Sequence, residues 1–290
     1  AMAKTLLIDG HNFAYRAFYG ITELSRSDGF PTNAIHGWLR VCWRLEDEEK
    51  PDAIIVFFDC GGDDEREELL PEYKANRSKC PDDLSLQLPW MKKLVVACGY
   101  GMDERPGVEA DDLIAAAAKA LVERGDEALI ASSDKDLAQC IRPGVTQILP
   151  PPTANPRIGW RLLDEAGVEA KFGVRPDQVA DYLALVGDTS DNIPGLAGVG
   201  PKTATKWLQS HGDLEGVIDN AGRLAPKRFC SLVYENQEKL RRNLKLTTLR
   251  ENLEVSIDAP PPANLAALRE ILEKMEMKKS LEEALRRYGP

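Results

Sequence analysis

Nine acidic side chains occur in five separate stretches of this chain: Asp9; Asp59; Glu109, Asp111 and Asp112; Asp134 and Asp136; Asp188 and Asp191. Carboxylates brought together raise one another's pKa and destabilise the fold unless a cation compensates them. Oxygen-only ligand sets suit Mg²⁺ or Mn²⁺ rather than zinc, and no His or Cys lies within these motifs at zinc-like spacing. Taken singly, each acid has an ordinary explanation, since Asp serves turns at strand ends and Asp or Glu caps first helical turns. Five such stretches, several with two acids, exceed what capping needs. A shared divalent-metal site is therefore expected.

The elements that must position these acids can be read from the apolar pattern. Lys4–Asp9, Ile54–Asp59 and Ala128–Asp134 are short hydrophobic runs that each end on an aspartate. Separated by helical stretches, such runs predict buried strands of a parallel sheet, whose carboxyl ends share one edge. Helices are predicted near 32–49, 84–98 and 110–124, an α/β alternation that covers both sheet faces. Glu109, Asp111 and Asp112 fall at the start of the third helix, where Glu109 and Asp112 share a face. The proline-rich stretch 150–156 predicts a surface excursion, and beyond Asp191 the chain turns mainly helical, with a final helix over 265–287. The segment 60–81 is rich in charge and poor in apolar residues, which predicts a mobile loop or helix rooted beside Asp59.

A second chemistry lies downstream in Asn192–Lys206. Gly198 and Gly200 permit a tight turn with positive φ, and the following helix offers its free N–H groups to an anion. Lys202 and Lys206, four apart around Thr203, lie on one helical face. The pattern is that of the second half of a helix-hairpin-helix, which grips a nucleic-acid backbone without reading bases. A net charge of −10 argues against a polyanionic partner at first sight. Residues 226–250, however, carry seven Lys or Arg against two Glu.

At 290 residues the chain suits one large domain or a domain with a smaller appendage. No run of eighteen apolar residues exists, so neither a membrane span nor a signal peptide is expected. Six cysteines without CxxC pairing suit a reducing cytoplasm, and localisation there, associated with the nucleoid, is expected.

Leu7–Phe18, Tyr73–Arg77, Gly107–Asp112, Ser133–Asp136, Gly187–Gly195 and Gly198–Ala204 occur in this order and together resemble the 5′ nuclease (flap endonuclease-like) family. The similarity is greatest to the amino-terminal 5′-3′ exonuclease domain of bacterial DNA polymerase I, and it covers nearly the whole chain. It implies a PIN-like parallel sheet flanked by helices over 1–186, with a helical arch at about 61–105. A helix-hairpin-helix region over 187–257 and a carboxy-terminal helix packing on the core over 258–290 complete the implied architecture. All nine acids match the family's metal positions, which implies two or more Mg²⁺ or Mn²⁺ ions, and the hairpin is implied to hold K⁺ through main-chain oxygens. Tyr73, Lys74 and Arg77 resemble arch residues that engage the scissile phosphate and the 5′ end. Tyr15 and Arg16 resemble residues near the substrate strand, and Arg66 falls where the family has an arch arginine.

The implied activity is metal-dependent hydrolysis of phosphodiester bonds from 5′ ends and at 5′ flaps or nicks, on DNA and on RNA primers in RNA–DNA hybrids. A monomer, in some settings working with a DNA polymerase, is expected. Two divalent ions about 4 Å apart can activate a water and stabilise the leaving oxygen during in-line attack. Lys74 or Arg77 would then offset charge on the phosphoryl oxygens, and Tyr73 would stack on an unpaired base. Residues 60–65 are more acidic than the corresponding arch base usually is, which opposes threading of a single strand there. A catalytically weak, structure-specific DNA-binding module is the alternative; it would call for missing ligands, and none is missing. A PIN-like ribonuclease is disfavoured by the clamp over 195–206.

Overall fold

The computed structural model describes residues 2–290. In chain order the core contains β1 (Lys4–Asp9), α1 (Gly10–Gly20), α2 (Asn33–Glu49), β2 (Ala53–Phe57), α3 (Asp64–Leu69), α4 (Asp82–Ala97), β3 (Gly101–Asp103), α5 (Ala110–Glu123), β4 (Glu127–Ala131), β5 (Val145–Leu149) and β6 (Arg161–Leu163). The strands lie in the order β3-β2-β1-β4-β5-β6. The first five are mutually parallel, and β6 joins the edge antiparallel through Gln147↔Leu163 to Leu149↔Arg161. The expected parallel sheet is thus mixed at one edge. β6 is reached by the excursion over 150–160, exposed at 153–158, and an antiparallel return needs no crossover helix.

Successive residues of a strand point to opposite faces, and the core divides accordingly. Leu6, Ile8, Ile54, Val56 and Leu129 pack under α1, α2 and α4, while Leu7, Ile55, Phe57 and Ile130 pack against α5. Ala115, Ala116, Ala117 and Ala118 are all buried, so α5 can approach the sheet closely. Chain reversal at the carboxyl edge is tight. Gly10 follows Asp9 directly, and a Cβ there would sit 2.6 Å from the Phe58 ring.

The rest of the chain forms α6 (Glu165–Phe172), α7 (Val179–Val186), α8 (Pro201–His211), α9 (Leu214–Asp219), α10 (Cys230–Glu235) and α11 (Gln237–Thr247) around a second core that includes Val168, Leu183, Trp207, Val233 and Leu240. This core recruits α6 and α7, which the sequence groups with the sheet, because Leu183, Ala184 and Leu185 on α7 are buried towards α8 and α11. The final segment is two helices, α12 (Leu265–Lys274) and α13 (Lys278–Tyr288), rather than one. Glu276 adopts φ 57°, and the Met277 N–H bonds the Leu272 carbonyl, so the chain reverses there and buries Met275 and Met277 on the core.

The expected arch segment also lies differently. α3 is a single short helix, and α4 is packed into the main core through Leu84, Met91, Leu94 and Val95. Arg66 on α3 is 4% exposed and faces inward.

Candidate metal and nucleic-acid site

Asp9 is the last residue of β1 and the N-cap of α1, its Oδ1 accepting from the Asn12 N–H at 3.3 Å. Its Oδ2 accepts from the Ser132 hydroxyl at 2.8 Å, and the same Oγ accepts the Asp134 N–H at 3.0 Å. Ser132 therefore ties the ends of β1 and β4 together. β2 and β4 stop before their aspartates, so Asp59 and Asp134 stand on the loops just beyond the sheet edge. Asp59 accepts the Ala110 N–H at 2.8 Å, so it binds a free amide at the start of α5 and holds that end of the helix beside the loop.

The first turn of α5 separates its acids by rotation. Consecutive helical residues point about 100° apart. Asp111 turns to the sheet edge, where Asp111, Asp134 and Asp136 each bring a carboxylate oxygen within 4.8 Å of the others. Asp136, Asp188 and Asp191 form a second such group, so Asp136 belongs to both. Burial first and then Asp134 push the Asp111 carboxyl well above its ordinary value, and Asp9 and Asp59 are close enough to add to this.

Glu109 and Asp112 do share a face, but it holds a guanidinium. Arg66 Nη1 donates to Asp63 at 2.7 Å, Glu109 at 2.7 Å and Asp112 at 2.6 Å, and its Nη2 donates to Asp112 Oδ1 at 3.0 Å. Arg66 also donates to the carbonyls of Leu246 and Thr248 at 2.9 Å, joining α3 to the end of α11. Arg250 adds a second guanidinium on Asp63 and Asp112. Burial would raise the Asp112 carboxyl, but Arg66 and Arg250 outweigh it and hold it below the ordinary range. Arg66, expected to face nucleic acid, is thus enclosed by carboxylates.

Tyr73 likewise points inward: it is buried against Leu70, Ile193 and Leu246 and donates its hydroxyl to Glu109 at 2.9 Å. This geometry leaves no ring face for a base. Lys74, at φ 56°, pairs with Glu109, and its N–H bonds the Asp191 carbonyl at 2.8 Å. Arg77 pairs with Asp191 at 2.6 Å and remains half-exposed. Both cations therefore border the acidic edge. Tyr15 and Arg16 lie on α1, partly exposed.

In the second lobe Gly198 takes φ 77°, as the turn requires. Gly200 does not: it is extended, caps α8, and a Cβ on it would meet none of the described residues. No described side chain caps α8, which leaves the Lys202 and Thr203 N–H groups open beside exposed Lys202 and Lys206.

Sequence reasoning passed over Ser132, Lys135, Asp63 and Arg250. Lys135 donates to Asp188 at 2.9 Å and stands 3.5 Å from Asp136. Only its place between two candidate ligands in Asp134–Asp136 hinted at this.

The electrostatics show which acids lack compensation. Burial first, then the charges of Asp59 and Asp134, pushes Asp9 up to about 7; burial and Asp134 push Asp136 up to about 7. Asp136 Oδ1 is buried and has no hydrogen-bond partner among the described residues. A buried carboxylate shared by two all-carboxylate groups, with one oxygen accepting no hydrogen bond and Lys135 at 3.5 Å to offset it in part, is what a hard divalent cation fits. With the folded pKa values of Asp9 and Asp136 raised well above their ordinary value of 3.8, the folded chain binds protons that the unfolded chain releases. In EDTA, stability is therefore expected to increase as pH falls from 8 to about 6.5, the unfolding midpoint rising by about 2–4 °C per kcal/mol. Below that pH, His11, lowered chiefly by burial, begins to oppose the gain. Thermal unfolding across this range checks the sign, and a midpoint that falls steadily from pH 8 to 6.5 would contradict it.

An acidic carboxyl edge on a mostly parallel sheet, with a glycine-turned helical lobe behind it, defines a resolvase-like domain joined to a helical fold of the SAM type. The chain belongs to the 5′-3′ exonuclease family: the family model described as 5′-3′ exonuclease, N-terminal resolvase-like domain, matches residues 4–173, and that described as 5′-3′ exonuclease, C-terminal SAM fold, matches 174–264. Similar curated proteins include a 5′-3′ exonuclease of Aquifex aeolicus, 38% identical over 97% of this chain and 95% of that one. A thermostable DNA polymerase I of Thermus thermophilus is 35% identical over 97% of this chain but 33% of its own length. This chain thus spans about a third of that polymerase. In fold it is similar to T5 5′-exonuclease, solved with divalent zinc ions, at a TM-score of 0.70, 22% identity, and 97% and 99% coverage of the two chains. No helix among the described residues is long and apolar enough to cross a membrane.

Proposed function

We propose that this nuclease hydrolyses DNA at 5′ ends, nicks and 5′ flaps, and RNA primers paired to DNA, using two divalent ions, Mg²⁺ or Mn²⁺. Asp111, Asp134 and Asp136 would hold one and Asp136, Asp188 and Asp191 the other, with Asp9 and Asp59 bordering them. Bound there, such ions supply a more acidic water and electrostatic stabilisation of the phosphoryl oxygens. The chain's own residues do the rest. Lys74 and Arg77, which pair with Glu109 and Asp191, would offset the charge on the phosphoryl oxygens. Lys202, Lys206 and the open amides of α8 grip a duplex backbone without regard to sequence. K⁺ at the hairpin, a monomeric state and a polymerase partner remain part of this reading through the family resemblance.

The observation that carries the proposal is Asp136, a carboxylate common to both acidic groups, one of whose oxygens is buried without a hydrogen bond among the described residues. The test compares 5′-flap, nicked and blunt duplexes, with product lengths resolved. Cleavage is expected with Mg²⁺ and none in EDTA. Absence of any product at every Mg²⁺ and Mn²⁺ level would overturn the reading.

A further inference from the structure

Helix α1 carries an aromatic track of which the nuclease reading uses only the inner residue, Tyr15. Tyr15 and Tyr19, four apart, stack on one face with ring centroids 6.5 Å apart and planes 26° from parallel. Tyr19 is 67% exposed. Phe18 packs edge-on against it at 5.2 Å and 78°, which fixes the ring without covering its outer face. A cavity of about 380 Å³ opens beside it, lined by Phe18, Leu24 and Pro31 among others.

The mounting is rigid at both ends. α1 begins on Asp9 itself, and its last turn is held by the Asn33 amide, which donates to the carbonyls of Phe18 at 3.0 Å and Ile21 at 2.7 Å. Asn33 Oδ1 in turn accepts from Gln87 on α4 at 2.9 Å. Single exposed aromatics are ordinary on a protein surface. A pre-stacked pair on a helix that starts at the metal edge is different, because its outer ring face extends a stack already begun by Tyr15, which neighbours Cys80 and Arg77.

We infer that Tyr19 is an outer stacking platform for an unpaired nucleobase of the strand that leads to the carboxylates, continuing an inner step at Tyr15. This deepens the proposed function and rests on it. Ten residues from Asp9 to Tyr19 span about 15 Å along the helix. That distance is about four stacked bases at about 3.4 Å each. Aromatic platforms bind any base, because every base has a π-face, and stacking contributes about 1–3 kcal/mol per base. Charge plays no part in such a contact, so it releases no counterions.

The experiment uses the whole chain with Ca²⁺ in place of Mg²⁺ and 5′-flap DNA carrying 2-aminopurine at successive flap positions. The wild type is expected to quench a position near the metal edge and another several nucleotides out. Tyr19→Ala is expected to lose the outer quench and about 5-fold or more in affinity, with the slope of log affinity against log salt unchanged. Tyr19→Phe is expected to keep both. Because Tyr19 is exposed, Tyr19→Ala should fold, and circular dichroism checks it. An unchanged quench profile and affinity in Tyr19→Ala, with the wild type cutting the same flap in Mg²⁺, would overturn the inference alone. A lower affinity with a changed salt slope would also overturn it, pointing to phosphate contact. Wild-type protein that cuts no 5′-ended substrate would remove the nuclease reading and this inference with it.

Discussion

Asp136→Asn is expected to lower single-turnover cleavage of a 5′-flap substrate by at least about 10³-fold while leaving the fold intact. Metal-based stabilisation of a phosphoryl transition state amounts to several kcal/mol, and each 1.36 kcal/mol is a factor of about ten. Asp136 is the one carboxylate common to both acidic groups, so its loss weakens both ion sites together. The neutral amide is nearly isosteric, and it removes a buried charge that Asp134 and burial already oppose. In EDTA the variant should therefore unfold at the same temperature as the wild type or above it. Asp188→Asn touches one group only, and Lys135 and Ser190 already satisfy its oxygens, so its effect should be smaller. Cleavage by Asp136→Asn within about tenfold of wild type would sink the two-ion reading. Equal losses in Asp136→Asn and Asp188→Asn would show that the shared position has no special weight.

The sheet edge was legible because its strands are written as continuous apolar runs: Leu6–Ile8, Ile54–Phe57 and Leu129–Ala131 are buried on both faces. Helices α2, α4 and α5 begin and end within about two residues of expectation. β3 and β6, of three residues each, carry too little pattern to be read. The break at Glu276 was hidden because no glycine or proline marks it; only Met277, two residues after Met275, departs from the spacing of Leu268, Leu272 and Met275.

The acids of the site announced themselves by type and place, but their partners did not. Asp111 and Asp112 are adjacent in sequence, and only the helical rotation sends one to Asp134 and the other to Arg66. The segment 60–81 looked incapable of burial because its residues are charged. Asp63 and Arg66 are nonetheless buried, since each satisfies the other and the acids of α5 complete the set. Arg250, 138 residues from Asp112, closes a contact that no local pattern encodes.

Arg66→Ala is expected to destabilise the protein by about 3–5 kcal/mol, because removing one partner of a buried ion network leaves the others uncompensated. Here the uncompensated groups would be Asp63, Glu109 and Asp112, with only Arg250 and Lys74 left to face them. For a chain of this size that cost lowers the unfolding midpoint by about 6–20 °C. Arg66→Lys should recover little, since one ammonium cannot reproduce a fork that serves three carboxylates and two carbonyls at once. The pH dependence separates charge from packing. In the wild type, the depressed Asp112 pKa contributes stability that is present above the ordinary carboxylate range and lost as pH falls through the folded value. Without Arg66 the Asp112 carboxyl takes up a proton more readily, so the deficit should be largest near pH 8 and narrow as the medium is acidified. Adding Asp112→Asn to Arg66→Ala should restore part of the loss, and a double-mutant cycle measures the coupling. An Arg66→Ala protein that unfolds within about 2 °C of wild type, or a deficit that does not vary with pH, would mean that the guanidinium merely fills space between α3, α5 and α11.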